Sequence, residues 1–399
     1  MKTGLYIAGS GKDAGKTTIS LGLVSNFIEQ FPGKVAFMKP LGQKSTIVDG
    51  STVSQDSHLL ENALGLDMAI RYSAPFSTSS GAAEKFITTG EPADLRKKVY
   101  KAYKYLHSHY KMVVVEGTGH PGVGSVFNLS NAEVASLYDI PVILVLGGGI
   151  GSTIDRFSMS VAPFEKAGVR ILGVIINKIL PAKEEKVKRI LSKWFEGKGI
   201  PIFGFIPYHT SLSNPSLGVL SREMGAETLF MKKESNLDHI SGFITAFGST
   251  EEVLKSLHNN PYSALVVSEG RKNVIDSIIA RKLSGIMDGS PSALILCGNS
   301  KTDPWIINAC KKASLPLLKA EGPFEKTVRK IQHKVFKVEP EESQKIEEII
   351  RLVKEKVDME MIYKSMISPA PVKELGEEGI INKILRTPFK MLGRFISKK

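Results

Sequence analysis

Residues 9 to 18 read Gly9-Ser10-Gly11-Lys12-Asp13-Ala14-Gly15-Lys16-Thr17-Thr18, directly after the apolar run Leu5–Ala8. They directly precede Ile19, Leu21, Leu23, Val24, Phe27 and Ile28 at helical spacing. A strand, a glycine turn and a helix in that order permit few folds, because the turn must aim backbone N–H groups and a helix N-terminus at one anion. In such a loop Lys16 reaches the β- and γ-phosphates of a nucleotide and the Thr17 hydroxyl ligates Mg²⁺. The expected nucleotide-binding residues are therefore Gly11, Lys12, Asp13, Ala14, Gly15, Lys16, Thr17 and Thr18, with ATP and GTP both open. The strict pattern puts its first glycine at Ser10, whereas here Gly9 stands one residue further out, so the loop is lengthened.

Near-continuous apolar runs at 4–8, 35–38, 112–115, 142–146, 171–176 and 202–205 alternate with amphipathic stretches. That alternation predicts an α/β P-loop fold whose mainly parallel sheet is buried on both faces. Residues 209–235 read as a lid or linker. A second, smaller α/β unit is expected at 236–360, with strands at Ile240–Ala246, Ala264–Ser268 and Ala293–Cys297, each ahead of a helical pattern. The boundaries are thus 1–235, 236–360 and a tail over 361–399, where Pro369 and Pro371 interrupt helical periodicity.

No run approaches the ~18 apolar residues of a membrane span, and Met1-Lys2-Thr3 leads straight into a strand, so a cytoplasmic location is expected. Two cysteines, Cys297 and Cys310, exclude a disulfide framework or thiolate metal site. The formal charge of +13 suggests nucleic acid, but residues 380–399 alone carry Lys383, Arg386, Lys390, Arg394, Lys398 and Lys399 and no acid. No aromatic-interleaved basic module supports specific nucleic-acid readout.

The loop Gly9–Thr18 is followed by Phe37-Met38-Lys39-Pro40, Gln55-Asp56-Ser57, Val115-Glu116-Gly117, Ile175-Ile176-Asn177-Lys178 and Phe205-Ile206-Pro207. This ordered set resembles the dethiobiotin synthetase-like ATPases. That family includes the ATP-binding part of cobyrinic acid a,c-diamide synthase and the N-terminal domain of some phosphotransacetylases. The resemblance covers about residues 1–210 and implies ATP and Mg²⁺ as cofactors. It also implies that Lys16 contacts the phosphates, that Thr17, Asp56 and Glu116 surround the metal, and that Asn177 and Pro207 hold the adenine. Lys39 would bridge the γ-phosphate and an acceptor oxygen, so Lys16 and Lys39 are the expected catalytic residues.

Several of these positions have a plainer reading. Asp56 also suits a helix N-cap ahead of Leu59-Leu60, and Asn177 a turn former. Glu116, at the carboxyl end of a strand, lies on the edge where parallel sheets bind ligands. The sequence departs from dethiobiotin synthetase at Leu41-Gly42-Gln43-Lys44, at Gly117–Ser125 and at Gly147–Gly151, where the acceptor would sit. Dethiobiotin synthesis is therefore not expected, while phosphoryl transfer to another small anionic substrate is. His120 is a candidate general base on the acceptor loop, or a plain loop histidine.

The second unit resembles, through Ser263–Arg271 and Ala293–Asn299, the DRTGG domain that follows such ATPases in phosphotransacetylases. Its name-giving tripeptides are eroded to Gly270-Arg271-Lys272 and Cys297-Gly298-Asn299, so a regulatory role is implied without a defined ligand. Cys297 before Gly298 superficially suggests a glutaminase nucleophile, but no His-x-Glu partner is present.

The tail sets Ile380, Ile381, Ile384, Leu385, Met391, Leu392, Phe395 and Ile396 among basic residues, interrupted by Pro388. Such a stripe suits an anionic membrane surface or, preferred here, an intramolecular or dimer contact. The leading expectation is an Mg²⁺–ATP-dependent, homodimeric ligase-like enzyme. The alternatives are a nucleotide-driven switch with membrane or partner contact, which in the related site-selection ATPases carries a lysine where Gly11 stands, and a nucleotide sensor without turnover.

Overall fold

The computed structural model describes residues 3–43, 45–48, 51–78, 81–89, 95–286, 289–334 and 336–367. In chain order its strands are β1 (Thr3–Gly9), β2 (Val35–Met38), β3 (Ser45–Val48), β4 (Ser51–Ser54), β5 (Met112–Glu116), β6 (Val142–Gly147) and β7 (Ile171–Ile179). They continue with β8 (Ile202–Pro207), β9 (Glu227–Phe230), β10 (Phe243–Thr245), β11 (Ala264–Ser268), β12 (Ala293–Cys297) and β13 (Leu317–Ala320). Two helices near the site are α1 (Lys16–Gln30) and α2 (Gln55–Leu64).

The first sheet has the order β2-β5-β1-β6-β7-β8 and is parallel throughout. All six strands expected from the apolar runs are present. The register sets Ile7 of β1 beside Glu116 of β5 and Gly9 beside Val145 of β6, so the loop after β1 stands at the carboxyl edge at the centre of the sheet. Alternate residues face opposite apolar layers. Leu5 and Ile7 pack with Ile19, Leu23 and Phe27 of α1, while Tyr6 and Ala8 pack with Val113, Val115, Leu144 and Phe157. Burying each large side chain of this kind contributes about 1.5–3 kcal/mol.

The second sheet, β10-β11-β12-β13, is parallel and is extended by β9, antiparallel to β13. Residues 209–235 accordingly differ from the expected lid or linker: helix Leu217–Met224 packs Leu217 and Leu220 into the second core, and β9 supplies its edge strand. Turn-rich composition at 209–216 hid this segment.

Residues 343–360 also depart from their expected place in the second unit. Helix Ser343–Lys356 returns to the first sheet, where Ile346, Ile349, Leu352 and Val353 join the layer formed by α1. Gly22 of α1 permits the approach, since a Cβ there would lie 2.3 Å from Cβ of Val353. An amphipathic stripe specifies that a helix packs, not on which core. Among the described residues no helix is long and apolar enough to cross a membrane. The basic stripe at 380–399 lies outside the described residues.

Candidate functional site

The first contribution to the site is made by a helix start. Gly15 sits at the N-cap of α1 with φ 89°, a left-handed conformation that glycine adopts without steric cost. A Cβ at this position would lie 2.1 Å from Nδ2 of Asn177. No side chain caps α1 and no acid occupies its first turn. The first-turn N–H groups of α1, at the end of the glycine loop, are open to an anion.

Lys16, in the first turn, is buried and donates to the carbonyls of Gly11 and Gly119, each at 2.9 Å. Burial and then the nearby Lys39 ammonium lower its pKa to about 8. Lys39 follows β2 and is also buried. Its ammonium lies 2.8 Å from Oδ2 of Asp56, 2.7 Å from Oε1 of Glu116 and 3.2 Å from the Gly117 carbonyl. Burial alone would lower the Lys39 pKa, but the two carboxylates outweigh it and the ammonium is held in its charged form. Asp56 is the counterpart: burial pushes its pKa up, while Lys39 and Lys337 prevail and hold it well below the usual carboxylate range.

Asp56 lies in the first turn of α2 and the N-cap is Ser54, which removes the capping explanation for Asp56. The Thr17 hydroxyl donates to Oε1 of Glu116 at 3.0 Å and lies 3.4 Å from Oδ1 of Asp56. The second oxygen of Glu116, Oε2, is buried without a hydrogen-bond partner. An orphaned carboxylate oxygen beside a hydroxyl and a second carboxylate is a hard oxygen donor set that fits Mg²⁺, which keeps waters and phosphate oxygens as its remaining ligands. Thr17, Asp56 and Glu116 would hold that ion.

Asn177 and Pro207 reach the site from the other side of β1. The register of β7 shifts between Ile176 and Ile179, with Lys178 at φ 61°. This departure from regular strand geometry presents Asn177 to the loop, where Nδ2 donates to the Ala14 carbonyl at 3.0 Å and Oδ1 accepts from the Lys178 N–H at 2.9 Å. Asn177 therefore braces the phosphate loop. Ala14 is buried beneath the loop and Lys12 and Asp13 are exposed on it.

Sequence reasoning missed Tyr6, Asn131 and Lys337. The Tyr6 hydroxyl donates to Oδ1 of Asn131, which also accepts from the Thr118 N–H, and Nδ2 of Asn131 donates to the carbonyls of Thr118 and His120. This fixes the loop after Glu116. His120 is exposed, accepts from the Gly122 N–H through Nδ1, and does not line the cleft. The general-base reading for His120 therefore lacks a geometric basis. Cys297 is buried and burial raises its thiol pKa, so it is an apolar strand residue rather than a nucleophile. Lys337, far along the chain, has its ammonium 2.6 Å from Oδ1 of Asp56.

Lys16, Thr17, Lys39, Asp56, Glu116 and Lys337 line a cleft of about 930 Å³. Its floor is the loop, Lys39, Asp56 and Glu116, and its far wall includes Phe243, Lys334, Phe336 and Lys337.

A family profile described as AAA domain matches residues 3–216, more than half of the chain. The chain belongs to the AAA domain family. A DRTGG domain profile matches residues 219–334, which follow directly. The phosphate acetyltransferase of Nitratidesulfovibrio vulgaris is 24% identical over 98% of this chain and 56% of its own length. That of Haemophilus influenzae is 26% identical over 87% of this chain and 50% of its own length, so the chain spans about half the length of these curated relatives. The ATP-dependent dethiobiotin synthetase of Saccharopolyspora erythraea is 24% identical over 55% of this chain and 93% of its own length. A solved structure of cobyrinic acid a,c-diamide synthase from Mycobacterium smegmatis with ADP and magnesium covers 53% of this chain and 89% of its own, at 14% identity and TM-score 0.36.

The protein is thus a P-loop AAA domain related to dethiobiotin synthetases and phosphate acetyltransferases, joined to a DRTGG domain. Within the DRTGG domain Arg271 donates to the carbonyls of Ala246 and Gly248, and Lys319 pairs with Glu269.

Proposed function

We propose that the AAA domain is an Mg²⁺–ATP-dependent enzyme that activates a carboxylate- or carbamate-type acceptor by phosphoryl transfer. The observation that carries this reading is the convergence of Lys16, Lys39, Thr17, Asp56 and Glu116 on one carboxyl edge, beneath an uncapped helix N-terminus. Phosphoryl transfer demands mainly positioning and charge neutralisation, and these residue types supply both. The metal, when bound, would neutralise charge building on the β- and γ-phosphate oxygens.

Lys16 binds the polyphosphate. Lys39, between both carboxylates, is placed to orient an acceptor oxygen against the γ-phosphorus. That oxygen attacks phosphorus, the bond to the β-bridging oxygen breaks, and ADP leaves with the electron pair. An amine nitrogen then attacks the carbonyl carbon of the acyl or carbamoyl phosphate, the C–N bond forms as the C–O bond to phosphate breaks, inorganic phosphate leaves with the electron pair, and the nitrogen gives up a proton to solvent. Gln43 lines the cleft and also a neighbouring cavity of about 490 Å³ walled by Leu41, Val123, Val126 and Phe127. That arrangement suits an acceptor with an apolar body and an anionic head.

The test is phosphate release from Mg²⁺–ATP across a panel of carboxylates and amines, with hydroxylamine present to trap an acyl phosphate as a hydroxamate. Acceptor-dependent release with hydroxamate formation is expected. Release that no acceptor stimulates would overturn the synthetase reading in favour of a switch ATPase.

A further inference from the structure

We infer that Lys337 is a phosphate-binding residue of the nucleotide site, recognising the terminal phosphate of a nucleoside triphosphate from a strap positioned by the DRTGG domain. The inference rests on the nucleotide-binding reading above and adds to it a residue more than three hundred positions from the phosphate loop.

Sheet order supplies the direction. In β2-β5-β1-β6-β7-β8 the phosphate loop follows the central β1. Asn177 and Pro207, expected at the base, end β7 and β8 on one side; Glu116 and Lys39 follow β5 and β2 on the other. Lys337 pairs with Asp56, which also pairs with Lys39 and lies beside Thr17. It therefore stands at the metal and terminal-phosphate end of the cleft.

The partner that Lys337 holds is one that a metal would claim. A divalent ion held by Thr17, Asp56 and Glu116 would sit one ligand bond from Asp56, with the Lys337 ammonium already 2.6 Å from the same carboxylate. Two cations so close repel strongly in a partly buried site. The ammonium then has a better partner in the oxygens of the terminal phosphate, which arrive with the metal and carry the excess negative charge.

The strap itself is anchored. Lys334 is 2.6 Å from Oε2 of Glu223, and the Phe336 ring stacks on Phe243 of β10 with centroids 6.3 Å apart. At its other end the Glu339 N–H donates to Oε2 of Glu342 at 3.0 Å, and Oε1 of Glu342 accepts from the Ser216 N–H at 3.0 Å. Residues on both sides of Lys337 are thus tied to the DRTGG domain and its junction, so a long, flexible side chain is delivered to the AAA site at low entropic cost.

The experiment is calorimetric titration of the full chain with ADP and with the β,γ-imido analogue of ATP, both in excess Mg²⁺, for the parent and for Lys337→Ala, Lys337→Arg and Lys16→Ala. Lys337→Ala leaves Asp56 paired with Lys39, so folding is retained. The expected result is an analogue-to-ADP affinity ratio about tenfold lower in Lys337→Ala, the loss of one charge-assisted hydrogen bond, and a parental ratio in Lys337→Arg. An unchanged ratio in Lys337→Ala would overturn the inference. So would an equal rise in both affinities, which would make Lys337 a mere plug in the metal site. If the parent binds neither nucleotide, or Lys16→Ala binds both as well as the parent does, the nucleotide-binding reading itself falls.

Discussion

The ammonium of Lys39 lies 2.7 Å from Oε1 of Glu116, and the Glu116 side chain is shut off from solvent while its other oxygen has no partner. A buried carboxylate that keeps one oxygen free is costly unless something else uses it. Lys39 neutralises the charge and Thr17 satisfies one oxygen, and in the proposed function the free oxygen would be a metal ligand.

From this follows the first prediction. Asp56→Asn and Glu116→Gln should each raise the Mg²⁺ concentration needed for half-maximal phosphate release by about tenfold or more. Nucleotide binding in the presence of chelator should change little. An Mg²⁺ titration identical to that of the parent in both variants would remove them from the metal site.

The second prediction concerns pH. Burial lowers the Lys16 pKa in the folded protein to about 8, below the 10.5 of a lysine in water. Between these values the unfolded chain binds more protons than the native one, so this lysine's destabilising contribution, full below pH 8, is relieved as pH rises towards 10.5. Binding an anion favours the ammonium form, so ATP binding should take up protons above about pH 8 and weaken as pH rises further. Calorimetry in buffers of differing ionisation enthalpy measures that uptake, and Lys16→Ala should abolish it together with binding.

Gly15 makes a third test. A side chain there meets a left-handed backbone and Asn177 at 2.1 Å, and the backbone strain alone costs about 1 kcal/mol. Gly15→Ala should displace the loop and lower ATP affinity at least tenfold while leaving the melting temperature within a few degrees. Parental affinity would mean that the loop tolerates displacement.

A fourth prediction addresses the returning helix. Val353 is buried against Gly22 of α1, and Val353→Ala should cost about 2 kcal/mol in denaturant unfolding. Gly22→Val should cost more, because Cβ would meet Val353 at 2.3 Å. Unaltered stability in both would show that helix Ser343–Lys356 contributes little to the first core.

The sequence alone determined the local chemistry. The apolar runs located every strand of the first sheet, and the glycine loop with its lysine and threonine located the phosphate site, since both depend on neighbours a few residues apart. The carboxylates Asp56 and Glu116 were legible because each follows a strand end or opens a helix beside recognisable residues. Lys337 and Asn131 carried no such signal: their roles exist only because the tertiary structure brings them to groups 281 and 125 positions away. The same holds for helix Ser343–Lys356 and for β9. Their sequences specify an apolar face and an extended segment, but which core takes them is decided by the surface left uncovered once the two sheets have formed, a property of the assembled structure rather than of any stretch of sequence.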